Sequence, residues 1–238
     1  MVDLHGSRRL AALAGRSGQW GALPPIEFGL EKNLRWKAEI PGRGSSSPVV
    51  CGDRVFVTTA VPVEGEGRTL DFRLFCFDRE TGSELWSRSA VKALPHEGTH
   101  ETNGYASASP CTDGVRVYAH FGSQGLHCYS LDGEHLWSRD FGDMRVRNGF
   151  GEGSSPTLTG DLVIVPWDHE GPSMLFAVDK QTGESVWETP RDEPTSWGTP
   201  LIVSDPDGVE QVVMNGQNAA RGYDLATGKE LWRCGGQT

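Results

Sequence analysis

Five tryptophans fall at nearly even intervals along the chain: Trp36, Trp86, Trp137, Trp187 and Trp232, which are 50, 51, 50 and 45 residues apart. The intervals are near-copies of one segment. Each contains a Ser/Thr-Pro pair (Ser47-Pro48, Ser109-Pro110, Ser155-Pro156, Thr199-Pro200) and each closes on the next tryptophan. A fixed period of this length means one supersecondary unit repeated and stacked, because a single unit cannot bury its own apolar faces.

Within a unit the chain alternates in short runs. The first run follows the proline and ends in a Gly/Asp turn, at Gly52-Asp53, Asp113-Gly114, Gly160-Asp161 and Asp207-Gly208. A second run covers 54–59, 115–121, 162–167 and 210–215, and a third covers 74–78, 126–131, 175–179 and 222–225. The last carries the tryptophan, at 84–88, 135–139, 185–189 and 230–233. Proline at the head of the first run is compatible with a strand, since that position need not donate to the ladder. Four short antiparallel strands per unit make a β-propeller blade. The expected fold is therefore all-β: four-stranded antiparallel blades at about 45–91, 107–142, 153–191 and 197–236. A largely irregular leader, 1–32, precedes them. One orphan strand lies around Trp36, and 33–238 forms a partial propeller.

The turn before the last strand is the most specific signal. It reads Asp78-Arg79-Glu80-Thr81-Gly82 ahead of Trp86, Asp179-Lys180-Gln181-Thr182-Gly183 ahead of Trp187, and Asp224-Leu225-Ala226-Thr227-Gly228 ahead of Trp232. Aspartate bonds the backbone two residues on, and glycine supplies the positive φ that ends the turn. The tryptophan then buries a large ring whose N–H needs an acceptor. The second unit contracts the turn to Asp132-Gly133 ahead of Trp137, a short hairpin signal.

This Asp-x-x-Thr-Gly-x-x-x-Trp pattern, from Asn33 to Trp232, resembles the quinoprotein-like (pyrroloquinoline-quinone-like) propeller family. It is most similar to the stand-alone branch that includes the outer-membrane assembly lipoprotein scaffolds. The recurring Gly-His and Trp-Asp signatures of WD-type propellers are missing. The resemblance implies that Trp36, Trp86, Trp137, Trp187 and Trp232 dock between neighbouring blades. It also implies a ring of seven or eight blades, so that this sequence is expected to be partial: a fragment, one half of a two-chain ring, or a small closed ring. A protein partner or a second half-propeller follows as the expected associate, and a periplasmic or extracellular setting follows by family analogy.

Charge narrows the function classes. Against 22 Lys and Arg stand 32 Asp and Glu, a formal net charge of −10, with no basic cluster. Nucleic-acid binding and attraction to anionic lipid both need such a cluster. No apolar run reaches the roughly 20 residues of a membrane-spanning helix. The stretch 1–18 places Arg8, Arg9 and Arg16 around a short apolar run, Leu10 to Ala14, too short for the core of an export signal. The five cysteines are odd in number and widely spaced, which fits buried small residues better than disulfides or a zinc site.

In the family the segments before each Ser/Thr-Pro enter the innermost strand near the channel mouth. Here they are rich in glycine, amides and aromatics, and Asn103, Tyr105, Asn148, Glu152 and Trp197 are the candidates for holding a small ligand. The related dehydrogenases use pyrroloquinoline quinone with Ca²⁺ beside vicinal cysteines, and this chain has no adjacent cysteine pair. Glu152 and Asn148 offer oxygen to a hard cation only in an unspecific spacing. His96-Glu97-Gly98-Thr99-His100-Glu101 has ligand-type residues, but Pro95 and Gly98 prevent the helix that would make two imidazoles converge. It reads as an exposed loop, and Asp168-His169-Glu170 reads as a solvated connection. No nucleophile motif is present. The leading expectation is a non-catalytic propeller that binds proteins, and the alternative is a quinone-dependent oxidoreductase or a degenerate ligand-binding relative.

Overall fold

A computed structural model describes residues 8–13, 26–27 and 29–236; the rest of the 1–32 leader (1–7, 14–25 and 28) lies outside the described residues. Within that leader Arg8–Leu13 is a strand, β1, paired antiparallel with β2 (Leu34–Ile40), so the strand of Trp36 has a neighbour.

Four four-stranded antiparallel sheets follow, each a simple meander. Blade 1 is β3 (Val49–Cys51), β4 (Arg54–Pro62), β5 (Leu70–Asp78) and β6 (Glu84–Ala93). Blade 2 is β7 (Cys111–Thr112), β8 (Arg116–His120), β9 (Leu126–Ser130) and β10 (His135–Arg139). Blade 3 is β11 (Thr157–Thr159), β12 (Leu162–Trp167), β13 (Met174–Asp179) and β14 (Ser185–Pro190). Blade 4 is β15 (Leu201–Ser204), β16 (Glu210–Asn215), β17 (Ala219–Asp224) and β18 (Glu230–Gly235). The strands of blade 1 run further than the pattern 54–59, 74–78 and 84–88 suggests, because alternation continues through Leu70, Phe72 and Val91, which join the apolar cluster that includes Phe121 of the next blade.

Register explains the composition of the core. One row of partners crosses each sheet toward the following blade: Val49, Phe56, Cys76 and Trp86 in blade 1, and Cys111, Tyr118, Cys128 and Trp137 in blade 2. Thr157, Ile164, Ala177 and Trp187 make the row in blade 3, and Leu201, Val213, Gly222 and Trp232 make it in blade 4. Phe56, Cys76, Tyr118, Cys128, Ile164 and Ala177 are fully buried, so each interface is an apolar layer between sheets. Cys76 and Cys128 are free thiols within it, pushed up to about 12 by burial. They are packing residues.

Polar contacts cross the junctions between the four blades at both rims, and the junction of the Trp36 strand with blade 1 at the outer rim. At the outer rim the indole N–H of Trp36 donates to Arg79 O (2.8 Å), Trp86 to Leu131 O (3.0 Å), Trp137 to Lys180 O (3.2 Å) and Trp187 to Leu225 O (2.9 Å). The ring lies on the turn glycine of the next blade. A Cβ on Gly82, Gly133, Gly183 or Gly228 would come within 2.5, 2.8, 2.6 or 2.5 Å of the indole it faces. The turn glycine is thus fixed twice, by its positive φ and by the ring above it. The contracted turn of blade 2 still puts Gly133 under Trp86, which is what its shortening has to preserve. At the inner rim the Ser47 amide donates to Ser109 Oγ (2.9 Å), Ser109 to Ser155 Oγ (2.9 Å) and Ser155 to Thr199 Oγ1 (3.4 Å). The hydroxyls of Ser109, Ser155 and Thr199 therefore each receive the previous blade. Trp232 is different: its N–H turns to Gln211 Oε1 of its own sheet (2.7 Å), its ring covers Gly222, and it is 39 % exposed.

Candidate functional site

In a four-strand meander the loop between the second and third strands and the connection to the next blade emerge at the same end. The connections between blades, 94–110, 140–156 and 191–200, lie there, with the loops 63–69, 121–125, 168–173 and 216–218 within the blades. They brace one another. From the first to the second connection, His96 Nε2 donates to Met144 O (2.7 Å), the Val146 amide donates to Glu97 Oε2 (3.0 Å), and Asn103 Nδ2 donates to Phe150 O (2.9 Å). The sequence motif His96 to Glu101 is therefore a clasp on the neighbouring loop. Among the described residues no cluster of three or more His, Cys, Asp or Glu side chains is placed to hold a metal.

The second connection is tied onward to blade 3. The Arg145 amide donates to His169 Nδ1 (3.0 Å), which leaves the ring proton on Nε2 for Pro172 O (3.1 Å). Arg147 N donates to Thr195 Oγ1 (3.0 Å), and Thr195 N donates to Glu170 Oε1 (3.2 Å). The Thr195 bonds, with Arg147 beside them, hold the Glu170 carboxyl below its usual range.

Asp168-His169-Glu170 is not the solvated connection the sequence suggests. Asp168 and His169 are 5 % and 6 % exposed. Asp168 takes both ends of the Arg191 guanidinium (2.6 and 3.0 Å) and the Ser196 hydroxyl (2.6 Å), and Arg191 also donates to Tyr223 OH (2.5 Å). A second buried pair joins Arg221 Nη1 to Glu193 (2.5 Å), whose carboxylate also accepts the Asn218 and Ala219 amides. Burying charge is tolerated here because each carboxylate has several donors. The overlooked signal was position: Asp168 and Arg191 each directly follow a strand at the loop-bearing end of blade 3.

The five candidate ligand residues do not share one site. Tyr105 and Glu152 come together on a cavity of about 30 Å³ with Phe72, His96, Phe121 and Gln124. Both also line an adjoining space of about 10 Å³ that includes His120. Glu152 accepts the Ser123 amide (2.7 Å) and the Ser123 hydroxyl, yet burial raises its pKa. His120 Nε2 has no partner, and burial pushes the imidazole down to about 4. Spaces of this size suit single waters; sites for drug-sized ligands run to hundreds of Å³. A quinone with Ca²⁺ does not fit at Glu152, and Asn148, exposed at φ 55°, is not brought to it. Asn103 is spent within the loops, where Oδ1 accepts Gly104 N (2.8 Å) and Ser107 Oγ (2.5 Å). Trp197 stands apart from these, 46 % exposed, its N–H on Gly151 O (2.9 Å) and its ring 6.4 Å from that of Phe150, itself 40 % exposed. Phe150 was not singled out from the sequence, although it adjoins Asn148 in the same aromatic-rich segment.

Four-stranded blades, joined by a tryptophan on the Thr-Gly turn of the next, define a quinoprotein-like propeller. The chain belongs to the family described as outer membrane protein assembly factor BamB, whose profile matches residues 70–235. It is similar to the outer membrane protein assembly factor BamB of Burkholderia pseudomallei (strain K96243), 27 % identical over 241 residues, covering 94 % of this chain and 55 % of that protein. Among solved structures, a europium-containing methanol dehydrogenase superposes with a TM-score of 0.63 at 12 % identity, over 98 % of this chain and 50 % of the other. The quinohemoprotein alcohol dehydrogenase from Comamonas testosteroni gives 0.54 at 13 %, over 82 % and 35 %. At these identities the two dehydrogenases share the fold. The chain spans about half the length of the curated relative it matches.

Proposed function

We propose that this chain is a non-catalytic propeller segment whose loop-bearing face binds a protein during outer-membrane protein assembly, outside the cytoplasm. The observation that carries the proposal is the cross-bracing of 94–110, 140–156 and 191–200 by bonds such as Asn103 Nδ2 to Phe150 O and Arg147 N to Thr195 Oγ1. Loops so fixed give a broad surface ordered before the partner arrives, which lowers the entropy cost of binding. Phe150 and Trp197 are its exposed aromatic anchors, the residue type that dominates protein interfaces. The family and the relative from Burkholderia support the process. The five repeat tryptophans serve the scaffold: four lie in blade junctions, and Trp232 with Leu201 and Val213 offers a joint surface for a further blade. Sedimentation velocity reads whether a second copy of this chain supplies that blade.

The test is photo-crosslinking in native cells. A photoreactive residue at Asn148 or Glu101 on the loop face is compared with one at Gln181 or Ala226 on the opposite face. Components of the outer-membrane assembly machinery are expected from the loop face alone. Equal yields from both faces, or products unrelated to that machinery, would overturn the proposal.

A further inference from the structure

An open cleft of about 400 Å³ lies where the connection into blade 4 meets that blade's inner loop. Its size falls within the range of small-ligand sites. Trp197 makes one wall, held in place by its bond to Gly151 O and flanked by Phe150, so the indole presents a fixed flat face. Gly198 and Gly216 supply bare backbone at the base; at Gly198 a Cβ would lie 2.6 Å from Asn215 O. The lining also includes Asn215 and Gln217, both exposed, whose carboxamides bond no other described residue.

The chemistry of this lining is selective. None of the lining residues carries a charge, and the nearby ions are consumed in the buried Arg191–Asp168 and Arg221–Glu193 pairs. The Thr195 and Ser196 hydroxyls are already engaged, with Arg147 N and with Asp168. What remains free is two carboxamides, each offering a donor and an acceptor, and one aromatic face. A phosphate or a carboxylate would lose hydration here without gaining a counter-charge. An added peptide strand would need a run of unpaired backbone, but the Gly216 amide is bound to Ala219 O in a tight turn. Adjacent hydroxyls on a ring match carboxamides, since each is both donor and acceptor, and the C–H face of a sugar ring matches the indole.

We propose that this cleft is a binding site for a neutral oligosaccharide, stacked on Trp197 and hydrogen-bonded by Asn215 and Gln217. The cleft shares Trp197 with the proposed protein interface, but sugar binding to the purified chain and crosslinking in cells are read separately, so either can fail without the other.

The test titrates the chain with chitotriose, cellotriose and maltotriose, followed by calorimetry and tryptophan fluorescence. At least one is expected to bind with a Kd of about 0.1–5 mM, unchanged between about 50 and 500 mM salt because no charge is involved. Gln217→Ala, at an exposed turn, and Trp197→Leu should each weaken binding by about tenfold. Trp197→Phe, which keeps an aromatic face, should retain most of it, and circular dichroism checks the fold of each variant. No binding of any trisaccharide up to about 20 mM, an affinity far weaker than such stacking supports, would overturn the proposal. So would affinity that falls with salt, binding indifferent to Gln217→Ala, or capture of an aromatic-rich peptide while the sugars stay inert.

Discussion

Two glycines of blade 4 allow the junction geometry to be weighed against backbone strain alone. Gly228 (φ 72°) and Gly208 (φ 83°) both sit in the left-handed region, so alanine at either costs about 1–2 kcal/mol. At Gly208 a Cβ meets nothing within 4 Å, and the strain is the whole effect. At Gly228 it lies 2.5 Å from Trp187 Cε3 and 2.5 Å from Thr189 Oγ1, whose hydroxyl bonds Gly228 O. Trp187 is 9 % exposed, and its N–H donates to Leu225 O in the same turn. Moving the ring by about 1 Å weakens that bond, worth about 1 kcal/mol, and part of the packing, for which full truncation of a buried tryptophan gives a ceiling of about 3–5 kcal/mol. Gly228→Ala should therefore cost about 3–4 kcal/mol and Gly208→Ala about 1 kcal/mol. In urea, followed by far-ultraviolet circular dichroism, a slope of about 2 kcal/mol/M turns these into midpoint shifts of about 1.5–2 M and 0.5 M. Equal shifts would refute the claim that the ring, and not φ alone, makes glycine obligatory.

Three other outcomes are expected. Asp168→Ala should destabilise by about 3–5 kcal/mol in the same assay, because Arg191 would be left buried without its carboxylate, whereas Asp143→Ala, on an exposed carboxylate, should be near neutral. His120 is neutral in the fold, its pKa lowered from 6.5 to about 4. The unfolded chain therefore binds the extra proton between those values, and stability falls as pH drops through that window by on the order of 3 kcal/mol. Glu152 acts oppositely, its raised pKa giving stability at low pH that is lost as pH rises through the folded value. Calorimetric melting of His120→Asn beside the parent from pH 7 to pH 4 should show a shallower acid decline, and an unchanged decline would remove His120 as its source. Purified chain supplied with pyrroloquinoline quinone and Ca²⁺ should show neither stoichiometric binding nor dye-linked alcohol oxidation; turnover would establish the oxidoreductase reading.

The blades were legible because periodicity is a property of local pattern. The Asp-x-x-Thr-Gly turn sets its own hydrogen bonds, with Asp78, Asp179 and Asp224 each accepting the amide of the threonine three residues on. The strand partner of Trp36 was not legible, since Arg8–Leu13 joins it across some twenty intervening residues, far longer than a hairpin connection. The hydroxyl ladder through Ser109, Ser155 and Thr199 was visible as a repeated Ser/Thr-Pro, but its use emerges only when neighbouring blades are placed side by side. Asp168 and Arg191 are 23 residues apart, and nothing local marks them as partners. The ligand candidates are not gathered in one place for a related reason. Asn103, Tyr105, Asn148, Glu152 and Trp197 share a loop type, but loops of one type on successive blades need not converge, and here the clasps between them consume Asn103 and bury Glu152.

Hydrogen exchange of the indole N–H groups, resolved by nuclear magnetic resonance, tests most directly the claim that each blade is held by a tryptophan bonded into the next. Trp36, Trp86, Trp137 and Trp187 donate across junctions and should exchange slowly. Trp232, bonded within its own sheet and partly exposed, should exchange fastest of the five. Uniform rates, or Trp232 the best protected, would contradict the account.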